Sequence, residues 1–104
     1  MLAEAASQLG DEEIVKRVLD GDTALFELIV RRYNQRLFRA TRSILRDDCE
    51  AEDVMQEAYL RAFASLNQFA HEAKFSTWLT KIAVYEAFGR LRRQHRRTRG
   101  SILT

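Results

Sequence analysis

The chain has 104 residues, enough for one domain, with 46% hydrophobic residues, 4 glycines, no proline and a net charge of +2. That composition excludes a collagen-like chain or a low-complexity linker, argues against a β-sandwich and favours long helices. A lone Cys49 excludes an internal disulfide and points to a reducing, cytoplasmic setting, no apolar run approaches the about 20 residues that span a bilayer, and the opening MLAEAASQLG lacks the basic and apolar parts of a signal peptide.

Residues 1–10 read as a flexible tail. Asp11 stands where a first helix needs a cap, and Glu12 and Glu13 follow in its first turn. Ile14, Val15, Val18 and Leu19 form a short apolar stripe that Gly21 can close. Asp22 is the next expected cap. Phe26, Ile29, Val30, Tyr33, Leu37, Ile44 and Leu45 step mainly by three and four, which predicts one amphipathic helix over 23–46 with arginines on its outer side. Asp47 and Asp48 mark a break. In the third helix, expected over 49–66, Ala51, Val54, Met55, Ala58, Ala62 and Leu66 share one side. Asp53, Gln56, Glu57 and Leu60 share the other. The stretch 67–75 lacks a period and reads as a loop; Ser76 or Thr77 then caps a fourth helix running to about residue 95. With no alternating strand pattern, the expected fold is all-α: a compact bundle of three to four helices over 11–97. Residues 98–104 are expected to be a flexible tail or the start of a linker.

Charge divides the chain. Residues 1–57 hold 8 basic and 13 acidic groups, and residues 58–104 hold 9 basic and 2 acidic. Six of the arginines fall within 90–99. Two or three cations would serve a helix C-terminus, so six point to a polyanion.

Catalytic and metal readings find little support. His71, His95 and Cys49 are scattered, without the converging ligands of a zinc site. Glu50, Glu52, Asp53 and Glu57 lack the Glu-x-x-His companions of a di-metal cluster, and no phosphate-binding glycine loop is present. No cofactor or metal is therefore expected, and no enzyme activity. The outward set Asp53, Gln56, Glu57 and Leu60 fits either a solvated helix start or a small docking patch. On the fourth helix Lys81, Tyr85, Phe88 and Arg92 step by four, three and four, flanked by Trp78. Cations there can meet phosphates and rings can stack on unpaired bases; the other reading places Trp78, beside Leu79 and Ile82, and Phe88 in the core, with Tyr85 partly exposed. In the loop, Asn67, Gln68 and His71 can reach a base edge while Phe69 and Phe75 anchor the segment.

The segments GDTALFELIVRRYNQRLFRATRSIL, AEDVMQEAYLRAFASLNQF and AKFSTWLTKIA followed by RLRR carry a resemblance over 11–97. Together they resemble region 2 of bacterial sigma factors, most nearly the extracytoplasmic-function group. The resemblance implies docking on the clamp helices of the RNA polymerase β′ subunit through the D-x-x-Q-E residues, here Asp53, Gln56 and Glu57, with Leu60 beside them. It also implies recognition and melting of the promoter −10 element, with a flipped non-template base entering a pocket made by the loop, here about 66–75, where Asn67, Gln68, His71 and Lys74 are the DNA-binding candidates. Ser76, Thr77, Trp78, Lys81, Tyr85, Arg92 and Arg93 would then hold the non-template strand. Lys81 and Ile82 stand where housekeeping sigma factors carry a Trp pair, a departure shared with the extracytoplasmic group. Tyr85 stands where relatives often have Asn; it can stack but cannot make the bidentate amide contact that reads adenine. The resemblance further implies a second helical domain, region 4, so that the chain is expected to be a fragment. Two other readings stand beside this one. The domain could serve chiefly as a surface held by an anti-sigma factor, or 90–99 could be an Arg-rich RNA binder.

Overall fold

A computed structural model of the chain describes residues 7–103, with side chains over 7–97. Its elements are α1 (Asp11–Leu19), a 3-10 turn (Thr23–Leu25), α2 (Phe26–Leu45), α3 (Asp48–Ala64), a second 3-10 turn (Leu66–Gln68) and α4 (Phe75–Leu103). No strand occurs among the described residues, and the all-α bundle expected from periodicity is the fold observed. Helices α2, α3 and α4 pack mutually, and α1 lies against α2 and both turns.

Small residues set the closeness of that packing. Ala51, Ala58 and Ala62 of α3 and Ala83 and Ala87 of α4 are fully buried, which lets the helix axes approach. Larger side chains fill the remaining space: Ile14 from α1, Ile29 and Leu37 from α2, Leu66, and Phe75 and Leu79 from α4. Thr41 is the buried polar side chain in this interior, and its hydroxyl donates to the Leu37 carbonyl at 2.9 Å. That is the back-bond by which a threonine is tolerated inside a helix.

The breaks follow from local chemistry. Gly21, at φ 117°, lies where α1 ends. Its N–H reaches the Val18 carbonyl and that of Asp22 reaches Arg17, the paired bonds of a Schellman ending. Arg46 takes a left-handed conformation to end α2, and the Asp47 carboxylate accepts from the Glu50 N–H at 2.9 Å to start α3.

Several expected boundaries move. Asp11 does not cap α1; Gly10 precedes the helix without a side-chain cap, and Asp11 turns to Arg32 and Tyr33 of α2 instead. A tertiary ion pair and a phenol hydrogen bond outcompete the local cap. Asp22 likewise gives no side-chain cap and precedes a 3-10 turn, so α2 begins at Phe26 rather than 23. Leu19 faces solvent, because the stripe Ile14, Val15 and Val18 already meets the core. Neither Ser76 nor Thr77 caps α4: burial of Phe75 draws the helix start forward, and the Thr77 and Trp78 N–H groups bond the Lys74 carbonyl. Helix α4 continues to Leu103, past the expected end. Of the two expected tails, 1–6 and the side chains of 98–104 lie outside the described residues. Within 7–10, Leu9 packs on the core and the Ser7 carbonyl accepts from Arg32 at 2.8 Å.

Candidate functional site

Two surfaces collect the candidate residues. The first is the outer face of α3. Val54 and Ala58 point into the core, which turns Asp53, Gln56, Glu57 and Leu60 outward, as the periodicity predicts. Leu60 is 70% exposed. Phe63, one turn on, is also exposed and meets Phe26 edge-on at 5.3 Å between ring centroids. With Val30, Gln56, Tyr59 and Leu60 these rings border an apolar groove of about 370 Å³. It adjoins a larger groove of about 740 Å³ between α2 and α3, where Asn34, Phe38 and Met55 join the lining. Phe63 was legible only as the i+3 neighbour of Leu60.

The acidic part of this face has an occupant that sequence order hides. Arg90 of α4 places Nη1 at 2.6 Å from Glu50 Oε2 and 3.7 Å from Asp53 Oδ2, and Nη2 at 3.5 Å from Glu57 Oε1. Its pKa is held above the usual guanidinium value, chiefly by the hydrogen bond to Glu50, against a smaller opposing effect of burial. The first arginine of the 90–99 cluster thus faces protein carboxylates and is not a free cation for a polyanion. Arg61 and Glu86 form a second ion pair between α3 and α4, with the signs reversed.

The second surface is the loop and the opposite side of α4. Phe69 and Phe75 are buried and stand edge-on at 5.5 Å, and Trp78 lies 5.4 Å and 5.6 Å from them. This cluster, with Tyr33 tilted against Phe75, fixes both ends of the loop. Its tips remain outside: Asn67, Gln68, His71 and Lys74 are all exposed. His71 adopts φ 60°, and its ring lies 4.4 Å from that of Phe69. Its Nδ1 stands 3.9 Å from Glu12 Oε1, an ion pair when the imidazole is protonated. Anchored rings and exposed polar tips therefore coexist in the segment.

Along α4 the stripe continues. Trp78 and Ser76 are half-buried, whereas Thr77, Lys81, Tyr85, Phe88, Arg92 and Arg93 are exposed. Tyr85 is 74% exposed, and Phe88 also faces solvent, so of the two alternatives for that ring the core is not the one observed. A groove of about 640 Å³ is lined by Ser76, Thr77, Thr80, Lys81, Tyr85 and Phe88, and by Arg36 from α2. Arg36 also sits 5.8 Å above the Tyr33 ring, a cation–π distance. Among the many outward arginines of α2, nothing in the sequence singled it out. At 100° per residue, Arg90 falls on roughly the opposite side of α4 from Lys81. The arrangement can offer cations, hydroxyls and ring faces to a single strand on one side and carboxylates to a basic partner on the other. Among the described residues no three His, Cys, Asp or Glu side chains converge to hold a metal ion, and no helix is long and apolar enough to cross a membrane.

Known proteins resemble this chain in sequence and in fold. The family model of Sigma-70 region 2 matches residues 29–97. The ECF RNA polymerase sigma-E factor of Haemophilus influenzae is 41% identical over 88% of this chain and 48% of its own length. The RNA polymerase sigma-H factor of Pseudomonas aeruginosa is 35% identical over 94% and 51%. The chain thus spans about half the length of these relatives. The NMR structure of an engineered region 2 of sigmaE in complex with GTAAAA superposes with a TM-score of 0.79 at 39% identity, covering 86% of this chain and 94% of that one. The chain belongs to the sigma-70 region 2 family.

Proposed function

We propose that this domain docks on the clamp helices of the RNA polymerase β′ subunit and recognises and melts the promoter −10 element. It is a specificity module with no catalysis of its own. Asp53, Gln56, Glu57 and Leu60 form the docking face. Asn67, Gln68, His71 and Lys74 receive a flipped base, and Ser76, Thr77, Trp78, Lys81, Tyr85, Arg92 and Arg93 hold the non-template strand. The observation that carries the reading is the groove beside α4, where Arg36 and Lys81 flank the exposed Tyr85 and Phe88 rings. Phosphates need the cations and unpaired bases need the ring faces. A related domain holding GTAAAA supports the same assignment. An anti-sigma factor would cover the apolar groove between α2 and α3, where Leu60 and Phe63 stand exposed.

The test is binding of a β′ clamp-helix fragment to Asp53→Ala and Glu57→Ala. Each should lose about 1–3 kcal/mol of affinity, as removal of a charge-assisted contact does. Circular dichroism should stay that of the parent, since both groups face outward. Unchanged affinity with an intact spectrum would remove the docking assignment.

A further inference from the structure

Glu50, Asp53 and Glu57 follow one another at i, i+3 and i+7, so they stand in a row along α3. Like charges at that spacing repel and would splay the side chains. One guanidinium lies in front of the row, with its two Nη atoms divided between Glu50 and Glu57 and with Asp53 within 3.7 Å. The Arg90 side chain is only 14% exposed, while those of Asp53 and Glu57 are 68% and 49% exposed. The cation is thus held by the protein, while the Asp53 and Glu57 side chains stay largely open to solvent. A planar fork fixes direction as well as charge, which an ammonium does not.

We infer that Arg90 is a positioning residue for polymerase docking: it holds Asp53 and Glu57 in the orientation that a basic partner meets. The inference rests on the docking role proposed for those two carboxylates. The simpler role, tying α4 to α3, is already filled. Leu45, Val54 and Ala87 form a buried cluster at this level, with Ile44 and Leu91 packed against it, and Arg61 pairs with Glu86 across the same two helices. Arg90 leaves an excess of carboxylates, so the face stays attractive to cations. The sign of its effect on docking separates two physical roles. A cation that only screens the face weakens docking, and its removal tightens it. A cation that orients the carboxylates strengthens docking, and its removal weakens it although the face becomes more negative.

The experiment titrates the whole 104-residue chain with a labelled β′ clamp-helix fragment. The variants are Arg90→Gln, Arg90→Lys, Glu57→Gln and the Arg90→Gln/Glu57→Gln pair. Arg90→Gln should weaken binding about fivefold or more, and the loss should largely vanish in the Glu57→Gln background, as coupled neighbours behave in a double-mutant cycle. Arg90→Lys should not restore parent affinity, because the fork is gone. Tighter or unchanged binding by Arg90→Gln would overturn the inference. So would an equal loss in both backgrounds accompanied by a lower melting temperature, which would make Arg90 merely structural. Parent affinity for Glu57→Gln alone would instead bring down the docking reading on which the inference stands.

Discussion

Phe75 and Tyr85 sit on the same helix and do opposite things. Phe75 is 2% exposed, with Tyr33, Phe69 and Trp78 around it, whereas Tyr85 projects into solvent. Phe75→Ala should therefore destabilise the domain by about 3–5 kcal/mol, the cost of emptying a large core site. Tyr85→Ala should leave the melting curve in place and reduce single-strand affinity by about 1–3 kcal/mol, the worth of one stacked base. Denaturation and anisotropy on the same samples check both. Tyr59 makes a pH prediction. Its phenol, buried in α3 with the hydroxyl donating to the Val30 carbonyl at 3.3 Å, has a pKa pushed up to about 12 by burial. The unfolded chain gives up that proton first, at the usual value of 10.0. The contribution is thus complete below the unfolded value and is lost as pH rises through the folded one. Denaturation midpoints between those two pH values should fall more steeply for the parent than for Tyr59→Phe. Tyr33, also raised by burial and by Asp11, stays in both proteins and cancels in the comparison.

At the scale of the element, the segment between α3 and α4 joins two requirements. Its rings must be fixed and its polar tips must be free, and Phe69 and Phe75 are buried while Asn67, Gln68 and His71 are exposed. Replacing those three tips together by Ala should reduce discrimination among −10 single strands that differ at one base. Non-specific affinity should persist, because phosphate contacts dominate it. An anisotropy panel with each base at each position reads this directly, and equal discrimination would leave the segment a connector. The helices themselves were largely legible. Period and the break at Asp47 and Asp48 located α2 and α3 to within a few residues, and the buried side of α3 follows the 100° steps through Ala51, Val54, Met55, Ala58 and Ala62. What escaped was decided by partners distant in the chain. Asp11 leaves its cap position for Arg32 and Tyr33, and Arg90 pairs with Glu50, 40 residues away. Arg36 joins the α4 groove from α2. A local pattern reports which side of a helix is polar, not which neighbour that side will meet. In the candidate site, residue types and exposure were therefore readable, and the pairing of Arg90 with the α3 acids was not.

As a whole, the described residues measure 58 × 25 × 21 Å, and α4 supplies most of that length: 29 residues, about 44 Å at the helical rise. The charge division of the sequence becomes a division of surfaces, but with two transfers: Arg36, from the acidic half, lines the groove beside α4, and Arg90 belongs to the acidic face. Arg92, Arg93, Arg96 and Arg97 remain exposed beyond it. Arg92 and Arg96 prolong the Lys81, Tyr85 and Phe88 stripe by successive steps of four. A strand lying along the stripe would pass from the groove onto these cations. Removing the arginines by truncation after Gly89 would also remove Arg90 and release the α3 carboxylates, so a fall in binding would have two causes. Substitution of the four by Gln keeps Arg90 and most of the helix propensity. This variant should bind all single-stranded sequences more weakly, with base discrimination unchanged. Its log–log salt slope should become shallower by about 0.7 for each phosphate that is no longer neutralised. Docking on the β′ fragment should be retained, because none of the four is among the ion-pair partners of Glu50, Asp53 or Glu57. A salt slope equal to the parent's would make Arg92, Arg93, Arg96 and Arg97 part of a solvated helix terminus and leave phosphate binding to other cations, Arg36, Lys74 and Lys81 first among them.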